Sequence, residues 1–375
     1  MVEYHQFDFN PGGRKKVIFS IDGGGMRGTI VVAMLAELEL VMGKPVYEMV
    51  DFVGGTSTGA IIAAGLGLHI SANDMLEMIY KDRLPKAIGK RGLRVWLRFI
   101  GNGLRYFYDL EIIVEALKSL AEGKRVCDLQ APAVLLTTKD LQTSNTYFIV
   151  STGPGAKAFS EWPVTAAVAA SGAAPVYFPS VIHRLVDGGV GVFGNPSLAT
   201  VTEAMEYIKG GFEDDNVIHI SFGTGYTPNN AAPKIVQGWN IVNWVSYVIN
   251  AGLEDSTLQQ AMITRSIYAD RLDYRRYNPL LTIDNVENKL DVPTNGIDPA
   301  TLGLDSTDPK AVALMEKIGR AYAHKIDWRH SRTKYDLPDE FPDDDMPGVM
   351  PWHTIGGRSA PEIQPVDFTG TIFDV

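Results

Sequence analysis

The sequence predicts an α/β protein, a three-layer sandwich with a mainly parallel central sheet flanked by helices. Three observations carry this. Short apolar runs such as KVIFSID (16–22) and VIHISF (217–222) read as buried strands. Helical stretches alternate with them along the chain. Glycine-rich turns join strand to helix twice, at GGGMRG (23–28) and GGTSTG (54–59).

The elements follow in order. Residues 16–22 form a strand that ends at glycines, and 29–42 a helix with Gly43 as its C-cap and Pro45 as its stop. A second strand covers 50–53 and a second helix 58–68. Ser71 with Asp74 makes a capping box for a helix running to Lys81. Residues 133–138 and 146–150 read as a hairpin-like pair of strands. An alanine-rich helix spans 163–171, and a strand at 183–186 runs into Asp187-Gly188-Gly189. Residues 196–208 are helical, and 217–222 a buried strand. Helices fill 236–250, 253–269 and 309–326.

Composition bounds the function. A chain of 375 residues with 45% hydrophobic content can bury a large core. The net charge of −10 argues against a nucleic-acid partner. Cys127 is the sole cysteine, so neither an internal disulfide nor a cysteine zinc site can form, which fits a reducing compartment. The first twenty residues lack the apolar stretch of a secretory leader, and no run of about 18 apolar residues exists to span a bilayer. The expected location is the cytoplasm, with peripheral contact at a membrane. The expected division is an N-terminal extension (1–13), a main domain (14–328) and an acidic, proline-rich arm (329–375). In that arm Asp336, Asp339, Glu340, Asp343, Asp344 and Asp345 alternate with prolines.

The first glycine loop has two functional readings beside a purely structural strand-to-helix turn. Gly23, Gly25 and Gly28 satisfy the G-x-G-x-x-G spacing of a dinucleotide site. Asp22 argues against that use, because a carboxylate beside the loop repels a pyrophosphate. Alternatively, consecutive glycines let backbone N–H groups converge where an oxyanion forms, with the helix that follows adding its positive end. In the second loop Ser57 lies between Gly55 and Gly59 at G-x-S-x-G spacing. That is the context of a nucleophile elbow, in which the Thr58 N–H faces the same oxyanion. A tight structural bend is the bland alternative. The P-loop spacing from Gly54 to Gly59 fails because Ala60 stands where lysine is needed. No histidine after Ser57 has a compelling loop context. His219 lies inside an apolar strand, and His324 in the last helix. Asp187 closes a strand before two glycines and reads either as a turn former or as a base whose pKa burial must raise.

The set DGGGMRG (22–28), GTSTG (55–59), ASGAAPVYFPS (170–180), DGGV (187–190) and SFGTG (221–225) resembles the patatin-like phospholipase family over roughly residues 14–230. The resemblance implies an α/β acyl hydrolase with a Ser–Asp dyad and no histidine, cofactor or metal. It implies Ser57 as nucleophile, Asp187 as base, and Gly24, Gly25 and Met26 as oxyanion donors beside Thr58. Gly23, Arg27, Gly28, Gly55, Gly59, Gly188 and Gly189 are its supporting motif positions. The implied substrate is a phospholipid or lysophospholipid. Two alternatives stay open: an esterase using His219 or His324 as base, and a lipid- or nucleotide-binding effector with a silent site.

Residues 83–108 reverse the overall charge, with seven basic residues and no acid. Leu93, Trp96 and Leu97 recur at helical spacing opposite Arg91, Arg94 and Arg98. This pattern reads as contact with an anionic membrane, as a helix with an ordinary solvated basic face, or as a seat for the acidic arm.

Overall fold

The computed structural model describes residues 15–89, 101, 106–227, 238, 256–268, 271–326 and 328. Seven strands form one mixed sheet of order β4-β3-β2-β1-β6-β7, with β5 paired to β3. The strands are β1 (Lys16–Ile21), β2 (Phe52–Gly55), β3 (Ala133–Asp140), β4 (Thr146–Val150), β5 (Leu185–Asp187), β6 (Val217–Phe222) and β7 (Asp273–Tyr277). β1, β2, β3, β6 and β7 run parallel; β4 and β5 lie antiparallel to β3. The predicted hairpin-like pair is therefore an antiparallel ladder from Leu135–Val150 to Lys139–Thr146.

Alternation along the strands builds two cores. Val17, Phe19, Ile21, Val53, Val134 and Leu136 join the larger one, and Ile18, Phe52, Ala133, Leu135 and Val150 the smaller one on the opposite face. The helices α1 (Gly28–Met42), α2 (Thr58–Gly67) and Pro309–His324 fill the first layer. Val201 and Met205, from the helical stretch Ser197–Thr202 and its wider π-wound continuation Glu203–Ile208, fill the second together with Tyr268. The sheet is thus covered on both sides, as parallel sheets require.

Several local signals act as expected. Gly43 closes α1 in the left-handed conformation at φ 68°. The Ser71 hydroxyl accepts the Asp74 N–H at 3.0 Å. The helix it opens departs from a plain α-helix: Ala72–Asp74 leads into a π-wound Met75–Arg83 and then Leu84–Ile88. Two elements were not anticipated, β7 and the helix Glu111–Ala121. The expected helix at 236–250, the basic residues Arg91, Arg94, Trp96 and Arg98, and the arm 329–375 lie outside the described residues, apart from residue 238.

Candidate active site

Ser57 and Asp187 meet because two strands end head to head. β2 runs beside β3 and ends at Gly55, opposite Leu136. β5 approaches from the other direction along the same side of β3, and Asp187 pairs opposite Thr138. The two ends stand two positions apart along β3, about 6.6 Å of strand, with Thr137 between them. The chain leaves β2 at Thr56 and β5 at Gly188, so Ser57 and Asp187 flank this short gap.

The elbow is strained. Ser57 has φ 56° and ψ −119°, a conformation that side-chain-bearing residues rarely adopt and that clusters at functional sites. The glycines allow it. A Cβ on Gly59 would overlap the Ile21 carbonyl, so α2 could not start this close to β1 with any other residue. A Cβ on Gly188 would overlap the Thr137 side chain, which explains the glycine after Asp187. Hydroxyls then tie the pieces together. Thr56 Oγ1 lies 2.7 Å from Thr137 Oγ1 and donates to the Phe193 carbonyl at 2.6 Å, linking the elbow to β3 and to the loop after Asp187. Ser171, at the end of the helix Val164–Gly172, accepts the Ser57 N–H on its Oγ at 3.0 Å. The Asp187 N–H donates to the Ala173 carbonyl at 3.1 Å.

Asp187 is buried, 7% exposed, and has no cationic partner in the described residues. Burial pushes its carboxyl up to about 6, against hydrogen bonds from the Gly189 N–H and the Ser57 hydroxyl that favour the ionised form. The Gly189 bond is 2.8 Å and fixes the carboxylate's orientation. A carboxyl that titrates near neutrality beside a serine hydroxyl can accept its proton.

The glycine loop faces this pair: a Cβ on Gly23 would stand 3.2 Å from the Ser57 Cβ. The amides of Gly24, Gly25 and Thr58 have no hydrogen-bond partner among the described residues. Met26 differs from the expectation. Its N–H already donates to the Leu304 carbonyl at 2.7 Å, so in this arrangement it is not an available oxyanion donor. Gly25–Arg27 forms a single 3-10 turn leading into α1, and that turn rotates the Met26 amide away from its two predecessors. Arg27 ends this turn and Gly28 begins α1, so both belong to the scaffold of the loop.

The two candidate histidines are engaged elsewhere. His219 Nε2 bonds Ser20 Oγ at 2.9 Å, and burial with the nearby Arg276 charge pushes its pKa down to about 3. His324 Nε2 bonds Glu37 at 2.9 Å on the α1 side of the sheet. No group of three or more metal-ligating side chains occurs among the described residues.

A mainly parallel α/β sheet thus carries a strained serine elbow, a buried aspartate facing it, and a glycine loop whose Gly24 and Gly25 amides have no partner among the described residues. The model of the patatin-like phospholipase family matches residues 19–199, and the chain carries a patatin-like phospholipase domain there. A cGAMP-activated phospholipase of Pseudomonas aeruginosa is 31% identical over 189 residues, which cover 47% of this chain and 55% of that protein. A cUMP-AMP-activated phospholipase of Escherichia coli is 23% identical over 283 residues, 73% of this chain and 86% of the relative. An intracellular phospholipase A2 of Caenorhabditis elegans is 26% identical over 228 residues, 56% of this chain and 20% of the relative. The chain thus spans about half of the first relative and about a fifth of the last.

Proposed function

We propose that this chain is a lipid acyl hydrolase that cleaves carboxylic esters of phospholipids or lysophospholipids at a peripheral membrane surface in the cytoplasm. The observation that supports this best is the strained Ser57 standing beside a buried carboxyl raised to about 6, near three amides with no partner among the described residues. Ser57 Oγ attacks the ester carbonyl and gives its proton to Asp187. The amides of Gly24, Gly25 and Thr58 hold the oxyanion. Asp187 returns the proton to the departing alcohol, leaving an acyl-serine. Water then attacks the acyl carbon, Asp187 takes a proton from it, and fatty acid leaves as the proton returns to Ser57. Among the described residues no helix is long and apolar enough to cross a membrane.

The test is a fluorophosphonate probe, which reacts only with an activated serine, followed by mass spectrometry of products from mixed phospholipid vesicles. Labelling of wild type but not Ser57→Ala, with free fatty acid released, is expected. Labelling at another residue, or fatty-acid release by Ser57→Ala, would overturn the assignment. Two relatives are named for activation by cyclic dinucleotides, which supports a second reading in which such a nucleotide switches this chain on. The assay is therefore run with and without cGAMP and cUMP-AMP, and equal rates in all arms remove that reading.

A further inference from the structure

The sheet carries a buried charged pair directly behind the glycine loop, and the hydrolase chemistry above does not use it. Asp22 is the residue between β1 and Gly23. Its carboxylate accepts both Nη1 (2.9 Å) and Nη2 (2.5 Å) of Arg276 from β7. Their side chains are 2% and 4% exposed for Arg276 and Asp22 respectively. β6 lies between β1 and β7, so Arg276 reaches across an entire strand. On the way its Nη1 donates to Ser221 Oγ at 2.9 Å, on the residue opposite it in the β6–β7 register. Ser221 in turn pairs with Ser20 of β1, whose hydroxyl contacts His219. With its pKa near 3, His219 is neutral and adds no charge.

This arrangement bears on the oxyanion in two ways. The first is charge. A lone carboxylate two and three residues before Gly24 and Gly25 would oppose negative charge developing at their amides, and in a low-dielectric interior that opposition is large. Arg276 cancels it. The second is position. The bidentate fork fixes the Asp22 side chain in a plane, a constraint that a flexible cation does not reproduce. The same short stretch is gripped further by the Asp22 N–H to the Phe222 carbonyl (3.0 Å) and by Thr224 Oγ1 to the Gly23 carbonyl (2.8 Å). We infer that Arg276 is a positioning residue of the oxyanion loop, acting through Asp22 to keep the Gly24 and Gly25 amides aimed and the site behind them uncharged. Arg276 lies outside residues 19–199, so the family match does not reach it.

The inference rests on the hydrolase reading and is tested in kinetics with a soluble ester, alongside fluorophosphonate labelling and thermal unfolding. The variants are Arg276→Lys and the charge-free pair Asp22→Asn/Arg276→Met. Arg276→Lys keeps the charge and loses the fork. It is expected to fold with kcat about tenfold below wild type and KM within about twofold, less than the loss of a whole oxyanion donor because the amides are misaimed rather than removed. The double variant buries no unpaired charge and is expected to fold, with kcat lowered at least as much. A purely structural role moves the unfolding midpoint and leaves kcat of the folded fraction unchanged, and that result in either folded variant overturns the inference. If the double variant does not fold, Arg276→Lys decides alone. If wild type itself neither labels nor turns over, the hydrolase reading falls, and the inference falls with it.

Discussion

Asp140 and Asp187 lie on facing strands of one antiparallel ladder, two residues apart in register, and their surroundings make opposite use of them. Asp140 is fully buried and receives both Nε (2.8 Å) and Nη2 (2.6 Å) of Arg184, with the Tyr147 hydroxyl at 2.7 Å. Burial alone would raise its pKa, but Arg184, Tyr147, Thr143 and the Gln142 N–H together hold it well below the usual carboxylate range. Asp187 is nearly as buried, yet it faces only a backbone amide and a serine, and burial wins. The same residue type on the same ladder is a permanent anion beside a guanidinium and, without one, a carboxyl raised to about 6, as the proposed proton acceptor needs. What separates the strut from the proposed base is the placement of one cation three residues before it.

The largest effect that sharpens this contrast is on turnover. Ser57→Ala or Asp187→Asn should each lower ester hydrolysis by about ten-thousand-fold, with circular dichroism unchanged. The same substitution at Asp140 would be a folding defect instead. Next comes the cation. Arg184→Met leaves Asp140 buried and unpaired and should cost about 3–5 kcal/mol in urea unfolding at pH 7. Because the folded pKa of Asp140 is lowered, its stabilisation is present above the unfolded value near 3.8 and disappears below it, so the defect should shrink in acid. Asp187 has the reverse sign. Its raised folded pKa favours the protonated form, so stability is lost as pH rises through about 6. Asp187→Asn should therefore stabilise the fold at pH 8 by roughly 1–3 kcal/mol and not at pH 4. The smallest effect belongs to Ser171→Ala, which removes the acceptor of the Ser57 N–H. It should cost about tenfold in kcat/KM, near 1.4 kcal/mol, with little change in the unfolding midpoint.

The glycine motifs made the parallel core and the site readable in the sequence, because a backbone in tight contact admits one residue type. Gly59 against Ile21 and Gly188 against Thr137 are such contacts. The spacing of Ser57 and of Asp187 was legible for the same reason. Their meeting was not derivable from the residues, since it depends on β5 running antiparallel to β3, a direction that a three-residue strand does not encode. β7 was missed because DYRRY reads as surface, whereas Arg275 and Arg276 are both buried and each is held by an aspartate. The partner of Arg276 lies some 250 positions away, beyond any local pattern. Met26 was assigned by motif, and the Leu304 carbonyl that occupies its amide comes from a loop with no signal of its own.

The rate of fluorophosphonate labelling against pH, measured side by side on wild type and Asp187→Asn, tests the pairing of hydroxyl and carboxyl most directly. Labelling of wild type should climb as pH rises through about 6 and level off above it, while the variant labels at least about a thousandfold more slowly with no such step. A variant that labels at the wild-type rate, or a wild-type profile governed by a different ionisation, would show that Asp187 does not activate Ser57.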